Sequence, residues 1–177
     1  MSLENIHVVI VTADFFEESE VIYPLYRLRE AGATVTLASP QGGPLAGKSG
    51  LRSLAADKSF EELEAGSFDA VLIPGGFAPD IVRRSEPVLR FLRSMNASGK
   101  PIGMICHGGW VGISAGIVAG RSLTSVPSIR IDLENAGATW IDQGVVEDGS
   151  LVTARVPDDM GVWMKAFVGL LERTTGK

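Results

Sequence analysis

Gly99-Lys100-Pro101-Ile102-Gly103-Met104-Ile105-Cys106-His107-Gly108-Gly109-Trp110 is the stretch that decides the reading of this chain. Gly-Lys-Pro ends the helix before it, because a proline cannot continue a helix and a glycine suits its terminus. Ile102 to Ile105 form a short apolar run suited to a buried strand. Gly108 and Gly109 let the backbone turn sharply before the next apolar segment. A residue on such a strand-to-helix corner points out at the carboxyl end of a sheet, where open α/β folds place their ligands. Here that residue is Cys106, the only cysteine among 177 residues. A lone cysteine is ordinarily a buried small hydrophobe. A packing cysteine, however, requires neither a histidine after it nor paired glycines. The corner therefore reads as a reactive thiol, with the start of a helix and free backbone N–H groups favouring the thiolate.

Outward from the corner, strands alternate with helices. Ile6 to Val11 is apolar and β-branched, as a strand buried on both faces should be. Glu17 to Ala31 has helical spacing, with Val21, Leu25, Leu28 and Ala31 on one face and Gly32 at its end. Ala33 to Ala38 is a second strand, and Asp69 to Pro74, closed by Gly75-Gly76, a third. Gln41 to Asp57, between them, reads as a Gly-rich loop with short strands. Asp80 to Met95 reads as one helix with Ile81, Val82, Leu89 and Leu92 inward. After the corner come a short helix to Ala119, a helical stretch from Ser128 to Ala136, and short strands at Thr139–Ile141, Val145–Val146 and Leu151–Ala154. The closing helix is Asp158 to Glu172, with Val162, Trp163, Ala166 and Leu170 on its apolar side. The expected fold is α/β, flavodoxin-like, with a mostly parallel sheet, helices on both faces and Cys106 on a nucleophile elbow. No domain boundary or repeat is visible, so residues 1–177 read as a single domain.

Composition narrows the function. The net charge is −5 with no basic stripe, which argues against nucleic acid. No apolar run is long enough to span a bilayer. The stretch Met1 to Asn5 lacks the basic start of a leader, and one cysteine forms no internal disulfide; both suit a reducing cytoplasm. One cysteine and two histidines without ligand spacing give no metal site. Gly42 to Ser49 matches the phosphate-loop pattern, which would put Lys48 on phosphates and Ser49 on magnesium. Its context argues against that: Gly50 stands where a long helix should begin, and Pro44 removes a backbone donor. Neither a cofactor nor a metal is expected.

His107 is the one histidine placed for catalysis, since His7 lies inside the first strand. It can move protons near the thiol, and as imidazolium it would stabilise a thiolate. Glu17, Glu18 and Glu20 lie where the first strand crosses into its helix, at the same sheet edge as Cys106. A glutamate there could share a proton with the thiol. Ordinary enrichment of acids in a first helical turn explains them equally well.

These segments together resemble the ThiJ/PfpI superfamily, class I glutamine-amidotransferase-like in fold. The nearest branch is the PfpI-type intracellular cysteine proteases and stress proteins. The carriers are Glu17 to Pro24 (EESEVIYP), Phe68 to Gly76 (FDAVLIPGG), Ile105 to Gly108 (ICHG), Ile113 to Gly120 (ISAGIVAG), Asn135-Ala136-Gly137 and Arg155-Val156-Pro157-Asp158. The resemblance implies a cysteine-dependent hydrolase, either a peptidase or a deglycase-like enzyme acting on carbonyl adducts, with Cys106 as nucleophile and His107 beside it. It makes Glu20 the glutamate that hydrogen-bonds the sulfur, with Glu17 as a further candidate, and Gly75, Gly76 and His107 the backbone donors to an oxyanion. It places Asp80 on His107 from a neighbouring subunit, so a dimer or hexamer is expected. The family alternative is a non-catalytic stress, redox-sensor or chaperone protein with an oxidisable Cys106. Two positions depart from the family pattern: the elbow reads His-Gly-Gly rather than His-Gly-Pro, and Val126 stands where relatives often carry tyrosine or histidine.

Overall fold

The computed structural model describes residues 3–175; Met1 and Ser2, where the leader reading began, lie outside them. Strand β1 (His7–Val11) leads into helix α1 (Glu18–Glu30) and strand β2 (Thr34–Ser39). A hairpin of β3 (Gly43–Leu45) and β4 (Leu54–Ala56) follows, then the short β5 (Lys58–Ser59). Strand β6 (Ala70–Ile73), helices α2 (Ala78–Val82) and α3 (Glu86–Ala97) and strand β7 (Ile102–Ile105) bring the chain to the corner. Beyond it lie α4 (Gly109–Ala115), β8 (Ser122–Leu123), α5 (Arg130–Asn135) and β9 (Thr139–Trp140). Strands β10 (Val145–Asp148) and β11 (Leu151–Ala154) and helix α6 (Met160–Thr175) close the chain.

Seven strands form the central sheet in the order β10-β11-β7-β6-β1-β2-β5. Every pairing is parallel except β10 with β11. The β-branched run of β1 is central because it can be buried on both faces: Val8 to Val11 are completely shielded. Helix α1 packs beside α6, and α3 beside α4, so both faces are covered. The chain steps outward from β1 to β2, then returns across β1 to β6. That reversal, between β1 and β6, is where an open α/β sheet leaves a crevice at its carboxyl edge.

The core is filled by large side chains from distant elements. Trp163 is fully buried and donates its indole N–H to the Val152 carbonyl at 3.1 Å. Three expectations are corrected. The single helix from Asp80 to Met95 is two, because Pro87 has no N–H to give the Arg83 carbonyl and Ser85 is extended, with ψ 107°. The helix after the corner stops at Ala115, where Gly116 takes a left-handed conformation (φ 72°). Val162 is half exposed; α6 turns Trp163, Met164 and Phe167 to the sheet instead. No helix among the described residues is long and apolar enough to cross a membrane.

Candidate active site

Cys106 is the first residue after β7 and sits in the left-handed region, φ 59°. A non-glycine residue held there costs about 1–3 kcal/mol, which the surrounding packing must sustain. Glycine at 108 is required by contact: a Cβ there would collide with the carbonyl oxygen of Ile73 at the end of β6. The tight turn thus locks the elbow against the neighbouring strand. The Cys106 sulfur lies 3.3 Å from Nδ1 of His107. The backbone N–H groups of His107 and Gly76 point at the same sulfur.

Glu20 comes up beneath the thiol from the first turn of α1 and is completely buried. Its Oε2 accepts the Gly75 N–H at 2.6 Å. Its Oε1 is buried with no partner of hydrogen-bond geometry, yet the carboxyl and the thiol are close enough to perturb each other's titration. Pro24 lies one turn further along α1 and has no N–H to give the Glu20 carbonyl, so the helix ladder is broken at this residue. Gly75 must be glycine for a reason of space. A Cβ would stand 2.7 Å from both the Cys106 Cβ and Glu20 Oε2. Because the Gly75 N–H is committed to Glu20, it is not free for an oxyanion, and that expected role is corrected. Gly76 and His107 keep backbone donors at the sulfur.

Glu17 caps α1, accepting from the Ser19 N–H and hydroxyl. Its other oxygen meets Nζ of Lys48 at 2.5 Å. Burial works to raise Glu17, but hydrogen bonds from Lys48 and Ser19 outweigh it and hold the carboxyl below its ordinary range. Three loops are knitted together here. The Phe15 N–H donates to Ala46, the Lys48 N–H to Phe16, the Phe77 N–H to Phe15, and the Ser49 N–H to the Glu18 carboxylate. The glycine-rich stretch is therefore a strut beside α1 and not a phosphate cradle. Lys48 turns into a cavity of about 140 Å³ lined by Glu17, Glu20, Gly76, Cys106, His107 and Pro157, with Phe77 at its rim. Sequence reasoning missed Lys48 as a member of this site, because no local spacing connects it to Cys106.

The remaining candidates lie apart. Asp80 is half exposed on α2 and pairs with Arg84 one turn on; within the chain it makes no hydrogen bond to His107. Nε2 of His107 lies 3.4 Å from the Ser128 hydroxyl, and its ring tilts against Trp110 with centroids 5.1 Å apart. His7 is structural: Nε2 meets the Thr36 hydroxyl at 2.7 Å and the ring packs on Phe68. No group of three or more His, Cys, Asp or Glu poised for a metal occurs among the described residues.

Electrostatics revise the expected thiolate. Burial, then the Glu20 carboxylate, push the Cys106 thiol up to about 12, against the pull of the His107 and Gly76 N–H groups. Burial pushes Glu20 up to about 7, against the Gly75 hydrogen bond. Burial and the Lys48 cation lower His107, so an imidazolium is disfavoured. Burial and mutual repulsion push both groups up, so both charges together are disfavoured and the pair keeps a proton between them. The elbow places the sulfur, but desolvation outweighs the short helix behind it.

The family model for DJ-1/PfpI matches residues 6–170. This chain belongs to the DJ-1/PfpI family. A deglycase of Thermococcus kodakarensis is 47% identical over 164 residues, covering 93% of this chain and 98% of its own. The deglycase PfpI of Pyrococcus furiosus is 44% identical over 165 residues, covering 93% and 99%. Among solved structures, a two-domain protein of Anabaena variabilis with DJ-1/ThiJ/PfpI-like and ferritin-like domains superposes with a TM-score of 0.92 at 35% identity. That match covers 94% of this chain and 48% of the other. The DJ-1/PfpI membership and the α/β fold therefore stand as read from the elbow outward.

Proposed function

We propose that this protein is a cysteine-dependent deglycase of the PfpI type, acting on adducts of small carbonyl compounds with amines. One observation carries the reading: the strained Cys106 faces a small cavity with Nδ1 of His107 at 3.3 Å and a buried carboxyl behind. The relatives' names as deglycases give the substrate class. In the first step the sulfur bonds to the carbinol carbon of the adduct as the bond from that carbon to nitrogen breaks, and the thiol proton passes to Nδ1 of His107. The proton held on His107 goes to the departing amine, and a hemithioacetal remains on Cys106. Water afterwards cleaves the sulfur–carbon bond and restores the thiol.

Glu20 sets the proton balance of the sulfur. The Gly76 and His107 N–H groups face developing negative charge. Glu17 holds Lys48 at the mouth of the cavity. Asp80, paired with Arg84 in its own chain, would act on His107 only from a second copy, in a homo-oligomer.

The test uses an amino acid pretreated with methylglyoxal and follows release of free amine. Wild type should turn over repeatedly, and Cys106→Ser should be inactive with its fold intact, since the two side chains differ little in size. Retained turnover in the serine variant refutes the covalent route. Turnover of a peptide but not of the adduct would move the assignment to a peptidase. No turnover, with Cys106 gaining oxygen under peroxide, would move it to a redox sensor.

A further inference from the structure

We propose that Arg155 is a positioning residue: clamped on Asp159, it holds Pro157 as the wall that limits how large a group can reach Cys106. The inference rests on the assignment of this cavity as the place where adducts are cleaved. Ala154 pairs with Ile105 at the end of the sheet, so the chain from Arg155 to Asp159 leaves β11 directly beside the nucleophile. Within that stretch Pro157 lines the cavity of about 140 Å³ in front of the sulfur. Pockets that take drug-sized ligands run to roughly 300–1,000 Å³. In a cavity this much smaller, the position of a single wall decides what fits.

The crossing from β11 to α6 is closed on itself. Arg155 Nε donates to Asp159 Oδ2 at 2.9 Å and Nη2 donates to Oδ1 at 3.2 Å, the forked contact of a guanidinium with a carboxylate. The Asp159 side chain is only 13% exposed, so water competes little for it. The Asp159 N–H donates to the Val156 carbonyl at 2.9 Å, and the Met160 N–H to the Pro157 carbonyl. Pro157 therefore stands at the crown of a loop whose two ends are tied by side chains and by backbone. Its ring fixes the local backbone, so a shift of the loop carries the wall with it. The clamp also reaches the chain before β10. Nη1 of Arg155 donates to Asp142 at 2.7 Å, and a Cβ on Gly144 would stand 2.9 Å from Asp159 Oδ1. Arg155, Asp142 and Asp159 all stand outside the cavity and act on it through Pro157.

Thiol reagents of two sizes read the wall without reference to turnover. Cys106 is the only cysteine, so every rate belongs to it. Modification by iodoacetamide and by the bulkier N-phenylmaleimide is followed at pH 8, each rate divided by that of glutathione. Wild type should show a low maleimide-to-iodoacetamide ratio. Arg155→Gln should raise the ratio about 3- to 10-fold, the scale of one lost hydrogen bond. It should raise KM for the methylglyoxal adduct by a similar factor with kcat unchanged, the mark of lost uniform binding. Asp159→Asn should do the same, and the double variant should go no further than either single one, as the two ends of one contact do. Arg155→Lys, which keeps the charge without the fork, should fall between. Pro157→Gly, which removes the wall and keeps the clamp, should raise the ratio as well. A wild-type ratio in Arg155→Gln, with only Tm lowered, makes the clamp merely structural and overturns the proposal. Additive effects in the double variant overturn it too. So does a raised ratio accompanied by a changed oligomeric state in light scattering, which would assign entry to a subunit interface. If no adduct is turned over by any form, the functional assignment fails, while the reagent ratio still decides whether Arg155 sets the wall.

Discussion

Replacing Glu20 by glutamine tests the electrostatic core of the site. The carboxyl is completely buried and its pKa stands at about 7 against an ordinary 4.5. Below pH 4.5 both the folded and the unfolded chain hold the proton, and the residue adds no pH dependence. Between about 4.5 and 7 the folded chain keeps the proton that the unfolded chain releases, so stability falls as pH rises. Above 7 both are ionised and the loss is complete. At about 1.4 kcal/mol per pH unit, the loss across the window is about 3 kcal/mol. Glutamine keeps a carbonyl for the Gly75 N–H and has no proton to lose. Urea unfolding from pH 4.5 to 8 should therefore show wild type losing about 3 kcal/mol relative to Glu20→Gln. For a chain of this size that is roughly 6–12 °C in Tm. The same variant removes the negative charge that helps hold the thiol up. Native-state alkylation by iodoacetamide at pH 8 should be slow in wild type and faster in the variant. Parallel stability curves for the two proteins, with equal alkylation rates, would refute the reasoning: Glu20 would then titrate as an ordinary carboxylate.

Gly75→Ala should destabilise by about 1–3 kcal/mol, the cost of overpacking, and abolish turnover, because its Cβ meets both Cys106 and Glu20; calorimetry and the amine-release assay check the two parts. Lys48→Met should change stability by less than about 1 kcal/mol, since the pair with Glu17 is partly exposed, while raising KM for the adduct, as the cation lines the cavity; an unchanged KM removes Lys48 from the site. Asp80→Ala should leave stability within about 0.5 kcal/mol, its partner Arg84 being exposed. If a second copy completes the site, it should lower activity per chain as dilution does, and light scattering with kinetics across a dilution series measures both.

Much of the fold was legible because it is written in local pattern. The β-branched run of β1, the apolar run of Ile102 to Ile105 and the glycines after Cys106 each act within a few residues, and each became the element expected. The nucleophile's position follows from the same short stretch, since a left-handed residue between a strand and a turn can point only outward from the sheet edge. Pro87 and Gly116 are equally local signals: one splits the helix expected before the corner, and the other ends the helix after it early.

What the tertiary structure decided is everything that depends on desolvation or on contact between distant segments. Glu17, Glu18 and Glu20 look alike in sequence, yet Glu17 binds Lys48, Glu18 binds the Ser49 amide, and only Glu20 goes under the thiol. Helical periodicity cannot separate them, because the loops that meet them come from other strands. The Gly75 amide is consumed by Glu20 for the same reason. The thiol expected to ionise easily is instead pushed up by burial and by Glu20. A helix end contributes a field over one turn, whereas the cost of burying charge sums over every element that excludes water from the sulfur.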